Sequence, residues 1–272
     1  MLAGRRMFRA TVAAVNAKGH FMSTIRNGPP AQPSTANGQR SAPGSTRKTL
    51  WSAVTGALLP AICCHCGARA ESSGLDLCAV CTALIPLNHE PRAVLRGDSR
   101  AAVRLVVPFL YAYPVDAWVR ALKFRGDRLY ARVLGELLAR ARAAMRVEAP
   151  ELSLLPDLIV PIPLHSSRYR ERGFNQAAEI ARVAGRALRI PVDASALIRR
   201  VATREQSGLS LRERHKNVRG AFEVTRAISV TRVAIVDDVL TTGSTARAAA
   251  RVLAGHGVEQ IELWAAARAV LS

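Results

Sequence analysis

Acidic residues are missing from the start of this chain: none occurs before Glu71, while eight basic residues fall within positions 1–50. Cysteine is missing everywhere except between positions 63 and 81, so cysteine chemistry is confined to one short module. Aromatics make up only 5% of the residues, which leaves few platforms on which nucleic-acid bases could stack. No apolar run approaches the ~20 residues needed to span a bilayer. Val103 to Tyr113 is too short and contains Arg104 and Pro108, so membrane insertion is not expected. A clear apolar signal core with a cleavage site is also lacking, and a cytoplasmic location is expected. Internal repeats are not apparent.

The first 48 residues are basic, acid-free and contain serine, a superficial likeness to an organelle transit peptide. Their Pro-Pro, Asn-Gly and Pro-Gly pairs argue for disorder instead. A start codon placed too early, with Met7 or Met22 as the true start, is a third option. Residues 1–48 are expected to be a disordered or spurious basic tail. The 272 residues suffice for one α/β domain plus an accessory module, and a hydrophobic content of 49% supports a core. The formal charge is +19, with 39 Lys and Arg against 20 Asp and Glu, and arginine greatly outnumbers lysine. Removing the first fifty residues lowers that charge by eight, to +11. Such a balance favours anionic partners, whether phosphates, nucleic acid or anionic surfaces, without choosing among them.

The cysteines form the pattern Cys63-Cys64-His65-Cys66-Gly67 and Cys78-Ala79-Val80-Cys81. Two C-x₂-C pairs at short spacing suit tetrahedral zinc. Gly67 suits a tight knuckle in which backbone N–H groups point back at the thiolates. Pairing Cys64 with Cys66 would give a poorer C-x-C chelate, so Cys63, Cys66, Cys78 and Cys81 are the expected zinc ligands. His65 replacing one ligand is an alternative. Two disulfides or four reduced structural thiols are others, and disulfides would need an oxidising compartment. Four thiolates leave no open position, so the zinc would be structural.

The segment Val233-Ala234-Ile235-Val236-Asp237-Asp238-Val239-Leu240-Thr241-Thr242-Gly243-Ser244-Thr245 carries the most functional information. Its apolar run reads as a buried strand ended by two acids. A hydroxyl-rich turn then opens a helix over Thr245 to Leu253. Such a turn offers free N–H groups and the positive end of a helix dipole to a phosphate. Two carboxylates at its mouth suit sugar hydroxyls or hydrated Mg²⁺. Phosphate, diol and metal together describe a ribose 5-phosphate, and more sharply phosphoribosyl pyrophosphate (PRPP). An ordinary strand–loop–helix with solvated acids is the plain alternative.

Strands are expected at Val103 to Tyr111, Asp157 to Pro161, Val233 to Val236 and Ile261 to Ala266. Helices are expected at Val115 to Phe124, Leu129 to Met145 and Phe174 to Leu188. Leu129, Val133, Leu137 and Leu138 have core-facing spacing in the second helix, as do Phe174, Ala178, Ala181 and Leu188 in the third. This alternation predicts an α/β fold, a parallel sheet flanked by helices on both faces. Ligands of such sheets sit at the carboxyl ends of the strands, which puts Asp237, Asp238 and the turn Pro161-Ile162-Pro163 on one rim. Arg168, Arg170 and Arg172 follow that turn and could hold a pyrophosphate; a solvated basic turn with Asn175 as a helix cap is the alternative. Residues 199–219 combine Gly, Ser and charge and read as a mobile loop or an exposed helix–loop.

The Asp-Asp-Val-Leu-Thr-Thr-Gly-Ser-Thr segment resembles the PRPP signature of type I phosphoribosyltransferases. That resemblance implies Asp237 and Asp238 on the ribose hydroxyls and Thr241, Thr242, Gly243, Ser244 and Thr245 around the 5-phosphate. The wider order of motifs is similar to the ComF/GntX family of competence proteins. It runs from the cysteines through Leu122-Lys123-Phe124-Arg125-Gly126-Asp127, Pro161-Ile162-Pro163-Leu164, Arg170 to Gln176, Gln206 to Leu209 and Arg214 to Asn217 to the donor loop. Covering about 55–272, it implies a zinc-ribbon-like module with four cysteine ligands at 55–90 and a phosphoribosyltransferase-like domain at 100–272. It further implies pyrophosphate binding by Pro161, Ile162, Pro163, Leu164 and Arg200, and a flexible loop over 200–217 that closes on the donor. The implied activity is binding of PRPP with Mg²⁺ and transfer of phosphoribosyl to a nitrogen nucleophile, with Asp237 and Asp238 steadying charge on the ribose. The implied setting is bacterial DNA uptake beside other competence proteins. The rival reading is a non-catalytic protein on the same fold that binds single-stranded DNA, the donor loop holding a backbone or terminal phosphate.

Overall fold

The computed structural model describes residues 61–70, 75–95, 103–200 and 220–270. The basic tail and the expected mobile loop from position 201 onward lie outside them. Backbone contacts divide the chain between Ala79 and Val80, inside a short helix, α1 (Ala79–Ala83). Ahead of that division, Ile62 bridges Arg69, and the Gly67 N–H donates to Cys63 O at 2.9 Å with Gly67 at φ +75°. The left-handed conformation closes the knuckle tightly, which favours glycine at this position.

The larger unit holds a six-stranded sheet. Its strands are β1 (Val94–Leu95), β2 (Val103–Val106), β3 (Phe109–Leu110), β4 (Leu158–Pro161), β7 (Arg232–Leu240) and β8 (Gln260–Arg268). The order is β1-β2-β8-β7-β4, with β3 also beside β8. β2, β3 and β7 run parallel to β8, and β4 runs parallel to β7; only β1 is antiparallel. The mostly parallel sheet matches the expected class. A separate antiparallel pair, β5 (Leu197–Arg199) and β6 (Phe222–Val224), was not anticipated.

Both faces of the sheet are covered, as parallel sheets require. Val233 and Ile235 of β7 join Leu263 and Ala265 of β8 under α6 (Ser244–Gly255) in one core, with Leu197 and Phe222 of the small sheet. The alternate residues Ala234 and Val236 are equally buried on the opposite face. There lie α2 (Val115–Arg125), α3 (Arg128–Glu148) and α5 (Gln176–Leu188). Between β4 and α5 runs the short helix α4 (Ser166–Arg172), where a basic turn was expected. A Cβ built on Gly135 would lie 2.6 Å from Val183 Cβ, so glycine sets the close approach of α3 to α5. Two expectations about helix faces need correction. Leu129 is 38% exposed, because it sits in the first turn of α3 ahead of the buried stripe Val133, Leu137 and Leu138. Leu188, the last residue of α5, is only half-buried.

One ionic network crosses the α3 face. Arg142 is fully buried and makes a bidentate pair with Glu262 at 2.7 and 2.8 Å. It also donates to the carbonyls of Leu152 and Leu154, at 2.8 and 2.7 Å. Glu262 accepts a further bond from Trp264 Nε1 at 2.6 Å. Every strong donor thus has an acceptor, the condition under which a buried pair is tolerated. Arg142→Ala leaves Glu262 buried without its cation and is expected to destabilise the fold by about 3–5 kcal/mol. Urea denaturation checks this, and Arg142→Met together with Glu262→Gln should recover part of the loss.

Candidate functional site

Four cysteines between positions 63 and 81 converge. The sulfurs of Cys63, Cys66, Cys78 and Cys81 all lie within 4.8 Å of one another, and Cys66 Sγ is 3.6 Å from Cys78 Sγ. Cys64 and His65, flanked by two of them in sequence, are not part of the group. Burial alone would raise the Cys63 thiol. Backbone N–H groups of Cys66, Cys78 and His65 and the Cys66 side chain outweigh it and bring the thiol down to about 6. A cluster poised toward thiolate is compatible with a metal such as zinc.

The second site lies at the carboxyl ends of β4 and β7. A cleft of about 440 Å³ opens there, with Asp237 and Asp238 facing Thr241, Gly243 and Thr245 across it. The acids do not end their strand as expected. β7 continues to Leu240, because β8 pairs with it at Asp237↔Ala265, Val239↔Ala267 and Leu240↔Arg268. The carboxylates are therefore held by sheet backbone on a rigid strand. Each Oδ1 also caps the next N–H: Asp238 N donates to Asp237 and Val239 N to Asp238, both at 2.9 Å.

The helix facing the acids has its N-terminus toward the cleft. The first helical N–H, of Ser244, donates to Thr242 Oγ1 at 3.4 Å; Gly243, at φ +72°, is the N-cap of α6 and has no side chain to cap it. A Cβ there would meet Leu95 Cδ1 at 3.0 Å in addition to the strained backbone. Thr242 and Ser244 do not line the cleft. Their hydroxyls bond each other at 3.1 Å, and Arg247 donates to Thr242 O at 2.8 Å, which fixes the loop from behind. The other wall is the turn Ile162, Pro163 and Leu164; Pro161 remains inside β4. Asn175 does two jobs there. Its Oδ1 caps α5 at Ala177 and Ala178, and its Nδ2 donates to Ile162 O at 2.9 Å.

The rim carries cations that sequence reasoning placed only loosely. Arg168, Arg172 and Arg199 line the cleft. Arg172 donates to Gln176 Oε1 at 3.0 Å and stacks over the Phe124 ring. Arg200 does not line it: its exposed side chain forms a bidentate pair with Glu223 at 2.6 and 3.1 Å. Lys123 was not singled out as a site residue, yet its Nζ lies 2.6 Å from Asp238 Oδ2. The signal available was the motif Leu122-Lys123-Phe124-Arg125-Gly126-Asp127, which holds one of only four lysines in an arginine-rich chain. Burial disfavours the charge on Lys123, but Asp238 and, more weakly, Asp237 and Tyr111 override it and hold its pKa above the usual value. Asp237 moves in the opposite sense to an ordinary surface acid. Burial, then the charge and hydrogen bond of Asp238, push it up to about 8, against the pull of Lys123.

An acid pair on the sheet rim beside a helix N-terminus, with cations around the cleft, fits a phosphoribosyltransferase-type domain, and a model of the Phosphoribosyl transferase domain matches residues 171–269. Competence protein F of Haemophilus influenzae is 36% identical over 171 residues, 61% of this chain and 73% of that protein. DNA utilization protein YhgH of Escherichia coli K12 is 33% identical over 208 residues, 76% of this chain and 90% of that protein. Its counterpart from Salmonella typhi is 33% identical over 209 residues, with the same coverage. The chain belongs to the ComF family.

The raised Asp237 makes a pH prediction. The folded chain keeps a proton there that the unfolded chain has lost, so its contribution to stability falls as pH rises from about 4 to about 8. Asp237→Asn removes that fall. The variant is expected to be more stable than the parent at pH 8, on the order of 1–2 kcal/mol with water screening the open side of the carboxyl. Thermal denaturation at pH 5 and pH 8 should show the difference shrinking toward the acid end.

Proposed function

We propose that this protein binds PRPP with Mg²⁺ in the cleft between Asp237 and the N-terminus of α6. The observation that supports it is their juxtaposition: a half-buried carboxyl on a rigid strand beside a helix start whose N-cap residue is a glycine. That helix end suits the 5-phosphate, a dianion drawn to N–H groups and the positive dipole end. Asp237 suits the ribose diol, accepting hydrogen bonds from hydroxyls. The turn Ile162-Pro163-Leu164 and the rim arginines suit the pyrophosphate, with Arg199, on the cleft wall, taking the role the sequence suggested for Arg200. Mg²⁺ binds through one or two carboxylates plus ligand phosphates and waters; Asp237 would meet that need on releasing its proton, and the bound ion would neutralise pyrophosphate charge.

In the transfer reaction, the C1–O bond to pyrophosphate breaks as a nitrogen nucleophile forms a C1–N bond. The electron pair leaves with the pyrophosphate, and the nitrogen's proton passes to solvent. Arginines at the leaving group stabilise the charge that develops there. The relatives' names speak of competence and DNA utilization, and we place the activity in bacterial DNA uptake or use, in the cytoplasm. The surplus of positive charge favours a second reading, retention of single-stranded DNA on the same fold. The four cysteines would hold one structural zinc.

Calorimetric titration with PRPP/Mg²⁺ and with a single-stranded oligonucleotide, on one preparation, separates the readings. PRPP binding that drops on the order of a thousandfold in Thr245→Glu supports the donor site, given ~1.5–3 kcal/mol for each charged hydrogen bond lost. Oligonucleotide binding that falls steeply with salt and ignores that substitution, without PRPP binding, supports the second reading.

Metal analysis of the purified chain is expected to find one zinc. Cys66→Ser should lower that content and Cys64→Ser should leave it unchanged. A folded, metal-free chain with four titratable thiols at 63, 66, 78 and 81 would sink the zinc assignment.

A further inference from the structure

Two adjacent carboxylates on a cleft wall attract a cation. Here the cation is part of the chain. Lys123 projects from α2, outside the region that matches the phosphoribosyltransferase domain, and its ammonium sits 2.6 Å from Asp238 Oδ2. The Asp238 side chain is only 6% exposed and that of Lys123 23%, so the pair is largely withdrawn from water. Asp237 and Asp238 both line the cleft, Asp238 N donates to Asp237 Oδ1 at 2.9 Å, and the Lys123 charge acts on both acids.

The residue type supports a point-charge role. Of 39 basic residues only four are lysines, at positions 18, 48, 123 and 216. A planar arginine fork suits two-oxygen recognition; a compact ammonium suits a single oxygen in a narrow place, as a metal ion does.

We propose that Lys123 occupies a latent divalent-cation site formed by Asp237 and Asp238. It neutralises Asp238 and leaves Asp237 as the one acid available to an incoming ligand. The free protein then holds no divalent ion at the acid pair, and any metal in the cleft arrives with the oxygens of its ligand. This positioning role deepens the PRPP reading where that reading supplies the ligand, but its test does not depend on PRPP.

The probe is Mn²⁺ alone, followed by electron paramagnetic resonance and calorimetry from pH 7 to pH 9, with circular dichroism confirming the fold. Lys123→Met and Lys123→Gln should each bind Mn²⁺ at least tenfold more tightly than the parent. Lys123→Arg, which retains a cation, should bind it as weakly as the parent. Adding Asp238→Asn to Lys123→Met should erase the gain. Equal Mn²⁺ binding by the parent and both neutral variants across that pH range overturns the proposal, as does a gain that survives Asp238→Asn. If neither neutral variant folds while Lys123→Arg does, a cation is required there for structure alone, and the latent-site proposal is likewise overturned. A parent chain that ignores PRPP/Mg²⁺ counts against the donor reading and leaves the Mn²⁺ comparison intact.

Discussion

The strand Arg232–Leu240 is hydrogen-bonded along both edges, to Leu158–Pro161 on one side and to Gln260–Arg268 on the other. Its first half lies in the core, where Val233 to Val236 are wholly buried and alternate between the two helical layers. Its second half carries Asp237 and Asp238 to the rim. A strand paired on both sides cannot slip without exposing its apolar set and burying its acids on the wrong face. The carboxylates therefore inherit their position from the hydrophobic core. The Ile162 turn does so as well, since Ile162 N donates to Val236 O at 2.8 Å.

The cleft divides its charge unevenly. Lys123 neutralises the more buried acid, and the arginines line the wall around the turn after β4. An anion entering the cleft would meet arginines on one wall and the N-terminus of α6 on another. The cost of gathering like charges is visible in the arginines themselves. Burial and the neighbouring Arg168 lower the Arg199 pKa, an unfavourable arrangement that an anion would relieve. Such local frustration is characteristic of binding sites rather than of cores.

At the other end of the sheet the polar groups are fully matched. Arg142 spends its donors on Glu262 and two carbonyls, and Trp264 adds a further bond. This fixes α3 against β8 by directional contacts, in addition to apolar burial. The contrast between a satisfied ionic network at one place and unbalanced charge in the cleft separates the group that holds the fold from the group positioned to act.

The amino-acid sequence by itself determined the parts whose chemistry is contiguous. The cysteine spacing named the four sulfurs that converge, since two C-x₂-C knuckles bring their own ligands into reach. The apolar run before Asp237 announced a buried strand, and the hydroxyl-rich turn after it announced a helix start, because both signals are local. The long helix α3 was legible from periodicity, except at its first turn. Tertiary structure alone decided what depends on partners distant in the chain. Pairing with β8 carries the strand on past the acids to Leu240. The register of β5 on β6 places Arg199 beside Phe222 and on the cleft wall, while Arg200 turns to Glu223. At the end of β5 the neighbouring side chains of Arg199 and Arg200 face opposite ways, and composition does not tell which of them lines the cleft. Lys123 and Asp238 are 115 positions apart, and nothing local to either announces the other. Only the packing of α2 beside the end of β7 brings that ammonium to that carboxylate.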